Sequence, residues 1–241
     1  MKLRGRLVLV RDVTPAQRDA MFALMDAHYE NVNRELFEAD LNEKHWVIQV
    51  TDPHTDRLCG FSTQRLLDVT VAGQPVRALF SGDTIIARSH WGDNALAQVW
   101  GRLALRLMDN AAGAPLYWFL ISKGYKTYRF LPLFFHEFYP RPDRAIPSWP
   151  AEVLDAIASS RYPNDYDATT GLVRATPAKD RLRPGVADVT PERLQDPYVR
   201  FFVERNPEHL SGDELCCLAP LTRDNFTRAA YRVIGPETVV V

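Results

Sequence analysis

The chain has little of what most readily reveals a function. Its 241 residues include three cysteines, Cys59, Cys216 and Cys217. So low and odd a count argues against a disulfide framework and fits a reducing cytoplasm. The six histidines never fall in an H-E-x-x-H spacing and the cysteines never form Cys-x-x-Cys, so no metal is expected. There is no G-x-S-x-G elbow and no P-loop, which argues against hydrolase and nucleoside-triphosphatase chemistry. An excess of one charge sign is missing too: the net charge is −1, so nothing electrostatic favours nucleic acid or an anionic membrane. No apolar run approaches the length that spans a bilayer. The opening MKLRGRLVLVRD carries only a four-residue apolar run, too short for a signal peptide. Glycine is sparse, with 12 in the chain, so each glycine in a turn carries weight.

What is present centres on Val76 to Ala112. This stretch reads as a buried strand, a short polar turn with one glycine, and a long amphipathic helix. A strand that feeds a helix in this way aims the helix's unpaired N–H groups and positive dipole end at the turn, where an anion would be held.

Around it the chain can be read in order. Leu7–Val13 reads as a strand. Thr14-Pro15-Ala16-Gln17 is a capping box with proline at the first helical position, and a helix runs on to about His28. A second helix is expected over 31–39. Three strands follow as an antiparallel meander: His45–Thr51, Leu58–Val71 with Gly60 marking a bulge, and Val76–Ala87. The helix over 93–111 puts Leu96, Val99, Trp100, Leu103, Leu107 and Met108 on one face. Leu116–Ser122 is nearly all apolar, as a strand covered on both faces requires, and lies parallel to the strand before the helix. Pro132 starts or kinks a helix in the aromatic segment 125–139. Beyond a proline-rich connector, 140–150, come a helix near 151–160, an irregular stretch over 161–188, a helix over 197–204, a strand over 214–218, and a helix over 223–233 that Thr222 caps. Cys216 and Cys217 point to opposite faces of their strand and make a poor metal pair.

Strand, two helices, three antiparallel strands, long helix, strand, helix: over roughly Leu3 to Pro140 this order resembles the GCN5-related N-acetyltransferase (GNAT) family. The family's turn after the third meander strand reads R/Q-x-x-G-x-G/A. Here Arg88-Ser89-His90-Trp91-Gly92-Asp93-Asn94-Ala95 supplies Arg88, Gly92 and the small Ala95, with Trp91 and Asn94 where a basic residue and a second glycine are usual. The resemblance implies an α+β fold: a mixed, mostly antiparallel sheet flanked by helices, in residues 1–140. An α/β extension over 141–241 would complete the sheet and the acceptor pocket. It implies an acyltransferase that moves an acyl group from acetyl-CoA, another acyl-CoA or an acyl carrier protein to the amine of a small molecule. Pantetheine would pair with the backbone of Thr84, Ile85, Ile86 and Ala87, and the pyrophosphate would sit on Arg88, Trp91, Gly92, Asn94 and Ala95. With one glycine the turn is crowded, which leaves two alternatives: a carrier-protein donor, or a non-catalytic protein that binds a ligand or partner in the same cleft.

Individual residues carry two readings each. Asp83, in an otherwise apolar strand, is either a desolvated base with a raised pKa or a loop-bonded acid. Tyr128 is either the acid that protonates the leaving thiolate or packing, and Tyr125 competes for the same role. His136 and Glu137 are neighbours that do not face each other on a helix. Lys123 belongs to a plain turn or meets a phosphate. Phe130, Phe134, Phe135 and Phe138 are core, or line a site for an apolar acyl chain. Gly212-Asp213-Glu214 is turn chemistry unless it lies against Asp83.

Overall fold

The computed structural model describes residues 2–111 and 113–236. Ala112, which closes the central stretch, and residues 237–241, at the end of the extension, lie outside the described residues.

β1 (Arg4–Leu9) leads to α1 (Pro15–Asp26). The capping box forms: the Thr14 hydroxyl accepts from the Gln17 N–H, and the Gln17 side chain accepts from the Thr14 N–H. The second helix starts later than expected. Asn33 caps α2 (Arg34–Asn42), its side chain accepting from the Leu36 N–H. Asn31 instead takes a left-handed backbone, φ 59°, which asparagine tolerates. Just before it lies a short strand missed in the sequence, β2 (Tyr29–Glu30).

The meander is β3 (Trp46–Thr51), β4 (Leu58–Val71) and β5 (Gln74–Ile86). The expected irregularity falls beside Gly60: Val50 pairs Gly60 and Thr51 pairs Leu58, which leaves Cys59 extra. α3 (Ala95–Asp109) crosses to β6 (Leu116–Ser122). Then come α4 (Tyr125–Tyr128), α5 (Phe130–Phe134) with Pro132 in its first turn, and α6 (Ser148–Arg161). The stretch expected to be irregular contains three two-residue strands, β7 (Tyr166–Asp167), β8 (Leu172–Val173) and β9 (Arg181–Leu182). α7 (Pro197–Arg205), β10 (Glu214–Pro220) and α8 (Arg228–Ile234) follow. The last helix is shorter than expected. The Asn225 amide donates to the carbonyls of Glu137 and Pro220, which holds 223–225 in a separate turn, and Thr227 rather than Thr222 caps α8.

Among the described residues, eight strands form one sheet in the order β1-β3-β4-β5-β6-β10-β8-β7. Every pair is antiparallel except β5 and β6, the two joined by the α3 crossover. β10, β8 and β7 come from beyond residue 140, so the sheet runs through both the core and the extension. β2 and β9 form a separate two-stranded ladder.

Side-chain alternation decides which helices cover which face. Leu116, Trp118 and Leu120 of β6 join a core built with α3, α5, α7 and α8. Tyr117 and Phe119 point the other way, into a core with α6. α1 and α2 cover the same side over Val47, Phe61 and Ile85. Cys216 and Cys217 sit on opposite faces. No helix among the described residues is long and apolar enough to cross a membrane.

Candidate functional site

β5 and β6 run together for only part of their length. Their Cα partners extend from Arg77 and Leu116 to Ser81 and Leu120. Beyond that point β5 continues to Ile86 paired with β4 alone, while β6 stays on β10. The parting has a local cause. Ser62 pairs Thr84 but Gln64 pairs Ser81, so Gly82 and Asp83 together face the single residue Thr63. A bulge of this kind bends its strand and strengthens the twist. Gly82 is needed there, because a Cβ would stand 2.6 Å from Thr63 Oγ1.

A buried chain of hydrogen bonds fixes the apex. Ser81 Oγ accepts from the indole N–H groups of Trp100 (3.2 Å) and Trp118 (2.9 Å), and donates to Gln64 Oε1 at 2.7 Å. Gln64 Nε2 donates to Ser62 Oγ, which shares a 2.6 Å hydrogen bond with the Thr84 hydroxyl. Polar groups this deep must satisfy one another, and once satisfied they hold a single arrangement. This set was missed in the sequence, although the polar run Ser62-Thr63-Gln64 inside an apolar strand was a visible signal. Behind the apex, between α3, α5 and α8, lies a mostly apolar cleft of about 50 Å³.

Asp83 faces the opposite side of the sheet. It is half-buried, and burial first, then the nearby Asp40, raises its carboxyl to about 7 against the opposing pull of Lys44 and Lys123. Each lysine is itself buried and paired. Lys44 meets Asp40 at 2.5 Å, with burial pulling its pKa down. Lys123 meets Asp180 at 2.5 Å and Glu214 at 3.4 Å. Burial works against its charge, but these two carboxylates outweigh it and the ammonium is held more firmly than usual. Tyr29 stands over Lys123 with its hydroxyl pushed up by burial. Glu214 thus reaches the neighbourhood of Asp83 through Lys123. Asp213 serves the turn, accepting from Arg174 and from the Ala175 N–H.

The turn after β5 is filled from within. Asp93 Oδ1 accepts from the Ala95 N–H at 2.7 Å, and Oδ2 from the Leu3 N–H at 3.2 Å, so a carboxylate already occupies the start of α3. Its negative charge suits the helix dipole and repels phosphate. The Trp91 indole donates to the Ile86 carbonyl at 3.0 Å, with Arg88 on one approach and Lys126 Nζ 3.5 Å from the ring centroid. Arg88 donates to the Pro184 carbonyl and Lys126 to the Val186 carbonyl, so the 183–188 loop is tied across the same corner.

Of the sequence candidates, Thr84, Ile85, Ile86 and Ala87 lie on or just beyond the diverging end of β5, and Arg88, Trp91, Gly92, Asn94 and Ala95 lie in the turn and at the start of α3. Tyr128 is not brought to Asp83. It is fully buried among Phe138, Phe201 and Phe202, its hydroxyl donates to the Pro140 carbonyl at 2.9 Å, and burial raises its pKa. Phe130 and Phe134 line the cleft, whereas Phe135 and Phe138 are core. His136 is exposed, and Glu137 accepts from the Tyr139 hydroxyl. No cluster of potential metal ligands occurs among the described residues.

No family model matches the chain, and no curated protein matches it in sequence. Solved structures do match. A conserved protein from Enterococcus faecalis V583, described as a probable N-acyltransferase, aligns over 66% of this chain and 43% of its own at 15% identity and TM-score 0.42. A GCN5-related N-acetyltransferase from Kribbella flavida aligns over 57% and 34% at 15% identity and TM-score 0.41. A GNAT family N-acetyltransferase from Escherichia coli, in complex with CoA, aligns over 54% and 69% at 16% identity and TM-score 0.38. The chain therefore spans less than half the length of the first two. The fold is GNAT-like in a divergent form, on the ground of its own topology: a meander, an α3 crossover, and one parallel pair that opens part way.

Proposed function

We propose that this protein transfers an acyl group from a thioester donor to the amine of a small molecule. The observation that carries the reading is the opening of β5 from β6 after Ser81 and Leu120, with a bulged Asp83 at the point of divergence. The opening offers the free edge of β5 to a pantetheine arm from the α3 side. Asp83 offers a base from the other side, in a field of buried charge suited to a polar acceptor.

In the reaction the amine nitrogen attacks the thioester carbonyl carbon. A C–N bond forms, the C–S bond breaks, and the thiolate leaves with its electron pair. Asp83, with its carboxyl near 7, takes the proton that the nucleophile sheds at neutral pH. That proton, passed on, ends on the thiolate. Tyr128 has no part in this step, because its hydroxyl is committed to Pro140.

The filled turn bears on the donor. With Asp93 on the first amide of α3 and Trp91 over the strand end, an acyl carrier protein, which brings pantetheine without adenosine, fits this chain better than free acyl-CoA. The same filling favours a second reading, a GNAT-like protein that binds a ligand in the cleft without catalysis. Release of free thiol separates the two. The full chain is mixed with acyl-CoA or acyl carrier protein and a panel of small amines, and thiol appearance is followed colorimetrically. Amine-dependent thiol release supports transfer. Binding of a thioester without release under any amine supports the non-catalytic reading.

A further inference from the structure

The face of the sheet opposite α3 holds more charge than the transfer step uses. By strand alternation Asp83, Lys123 and Glu214 all point to the side that α1, α2 and α6 cover: Ile85, Phe119 and Cys216, each an even number of residues away, are buried there. Tyr29 joins them from β2, and Tyr162 from the residue after α6. The charges of Asp83 and Glu214 both bear on the Tyr29 hydroxyl, and that of Glu214 on Tyr162 as well. Asp83, Tyr29 and Tyr162 are half-buried, so the cluster keeps a surface that a guest can reach.

The cations of this cluster are already committed. Lys44 and Arg161 converge on Asp40, and Arg161 also meets Glu43. Lys123 gives its short contacts to the carbonyl and the carboxylate of Asp180, at 3.0 and 2.5 Å. Glu214 is left incomplete. It is only 7% exposed, yet its Oε2 has no hydrogen-bond partner among the described residues. The cation facing that oxygen, Lys179 Nζ, stands 3.8 Å away, past hydrogen-bond reach, while Oε1 has Lys123 at 3.4 Å. An ionised oxygen at this depth without a donor is costly, and the missing partner is an N–H group of positive charge. Among the cluster's donors Arg161 Nε is unbonded, but it belongs to a guanidinium that two carboxylates share. A guest carboxylate would find little here; a guest ammonium would find Glu214.

We infer that the acceptor is an aliphatic diamine: one amino group reacts beside Asp83 while the second, as an ammonium, binds Glu214 Oε2, which makes Glu214 the specificity residue of the acceptor side. Reaction at Asp83 rests on the transfer reading; the cation site rests on Glu214. β10 is the second strand from β5, about 10 Å away at ordinary strand spacing, so the two nitrogens need several carbons between them.

The test uses the full chain, diaminoalkanes from ethane to hexane, the matching monoamines and the matching ω-amino acids. Affinity is measured by calorimetry, and thiol release is followed in parallel with an acyl-pantetheine as donor. A charge-assisted hydrogen bond is worth a factor of roughly ten to a hundred, so the longer diamines should outbind their monoamines by about that much, and ethanediamine should not. Glu214→Gln should bring each diamine to the level of its monoamine. Lys179→Ala, which removes the competing surface cation, should tighten the diamines about threefold and decides the matter if the first variant does not fold; both are checked by thermal melting. Equal binding of diamines and monoamines, tighter binding of the amino acids, a folded Glu214→Gln that keeps the preference, or a Lys179→Ala that does not gain affinity overturns the inference. Thiol release with monoamines and diamines alike would leave transfer standing and remove the diamine assignment. Diamine binding that depends on Glu214, with no release under any donor, would keep the cation site and remove transfer.

Discussion

The indole nitrogen of Trp91 donates to the carbonyl of Ile86, five residues back, across the turn that ends β5. The ring, 44% exposed, thereby occupies an acceptor on the strand edge that a donor's amide would use. Trp91→Ala should free that carbonyl. One extra hydrogen bond is worth about 1 kcal/mol, so the thioester should bind roughly fivefold more tightly. The melting temperature should fall, because Arg88 and Lys126 lose the ring they lie against. Calorimetry with an acyl-pantetheine reads the first effect. Weaker binding in the variant would show that the indole belongs to the donor site.

Asp83→Asn removes the proposed base while keeping the shape. Thiol release should drop by about two orders of magnitude. In the parent, the rate should climb with pH and level off above about 7, where the carboxyl ionises. The variant should show no such inflection.

Stability should move in the opposite direction. The carboxyl's ordinary pKa is 3.8 and in the fold it is about 7. Between these values the folded protein keeps a proton that the unfolded chain has released, so its stability declines as pH rises through that window. Asp83→Asn should therefore melt higher than the parent at pH 8, with the gap closing toward pH 4. Scanning calorimetry at the two pH values decides it.

Ser81→Ala would leave two buried indole N–H groups without their acceptor and Gln64 without its donor. A loss of about 2–4 kcal/mol is expected in urea unfolding. Because the same oxygen fixes the apex, thiol release by the protein that remains folded should fall as well.

Gly82→Ala places a methyl against Thr63 Oγ1 and should destabilise the protein by about 1–3 kcal/mol. Thr63→Ala in the same chain removes the obstacle. The pair should then show positive coupling, with the double variant more stable than the sum of the single changes predicts. Strict additivity would place the strain elsewhere.

The elements visible in the sequence were those whose pattern is local. Thr14-Pro15-Ala16-Gln17 named its own capping box, and the all-apolar Leu116–Ser122 announced a strand covered on both faces. Asp83 stood out because an acid in an apolar strand needs a reason. What escaped was non-local. β2 is a strand only because Arg181 and Leu182 arrive from 150 residues away, too short a segment to leave a pattern of its own. The Ser81 network joins β4, β5, α3 and β6, and nothing in the spacing of Trp100 and Trp118 says they share one oxygen. Tyr128 looked available beside β6, but its hydroxyl turned inward to a carbonyl twelve residues on, and no local pattern records that turn.

The wall that α8 builds has a bearing on biosynthesis. α3 emerges from the ribosome more than a hundred residues before the helix that covers its Leu96 and Trp100 flank. Until then that flank is bare, a sticky surface that chaperones would need to shield. The cleft on that flank therefore gains its wall only when α8 docks, so the core beside it and the cleft mature together.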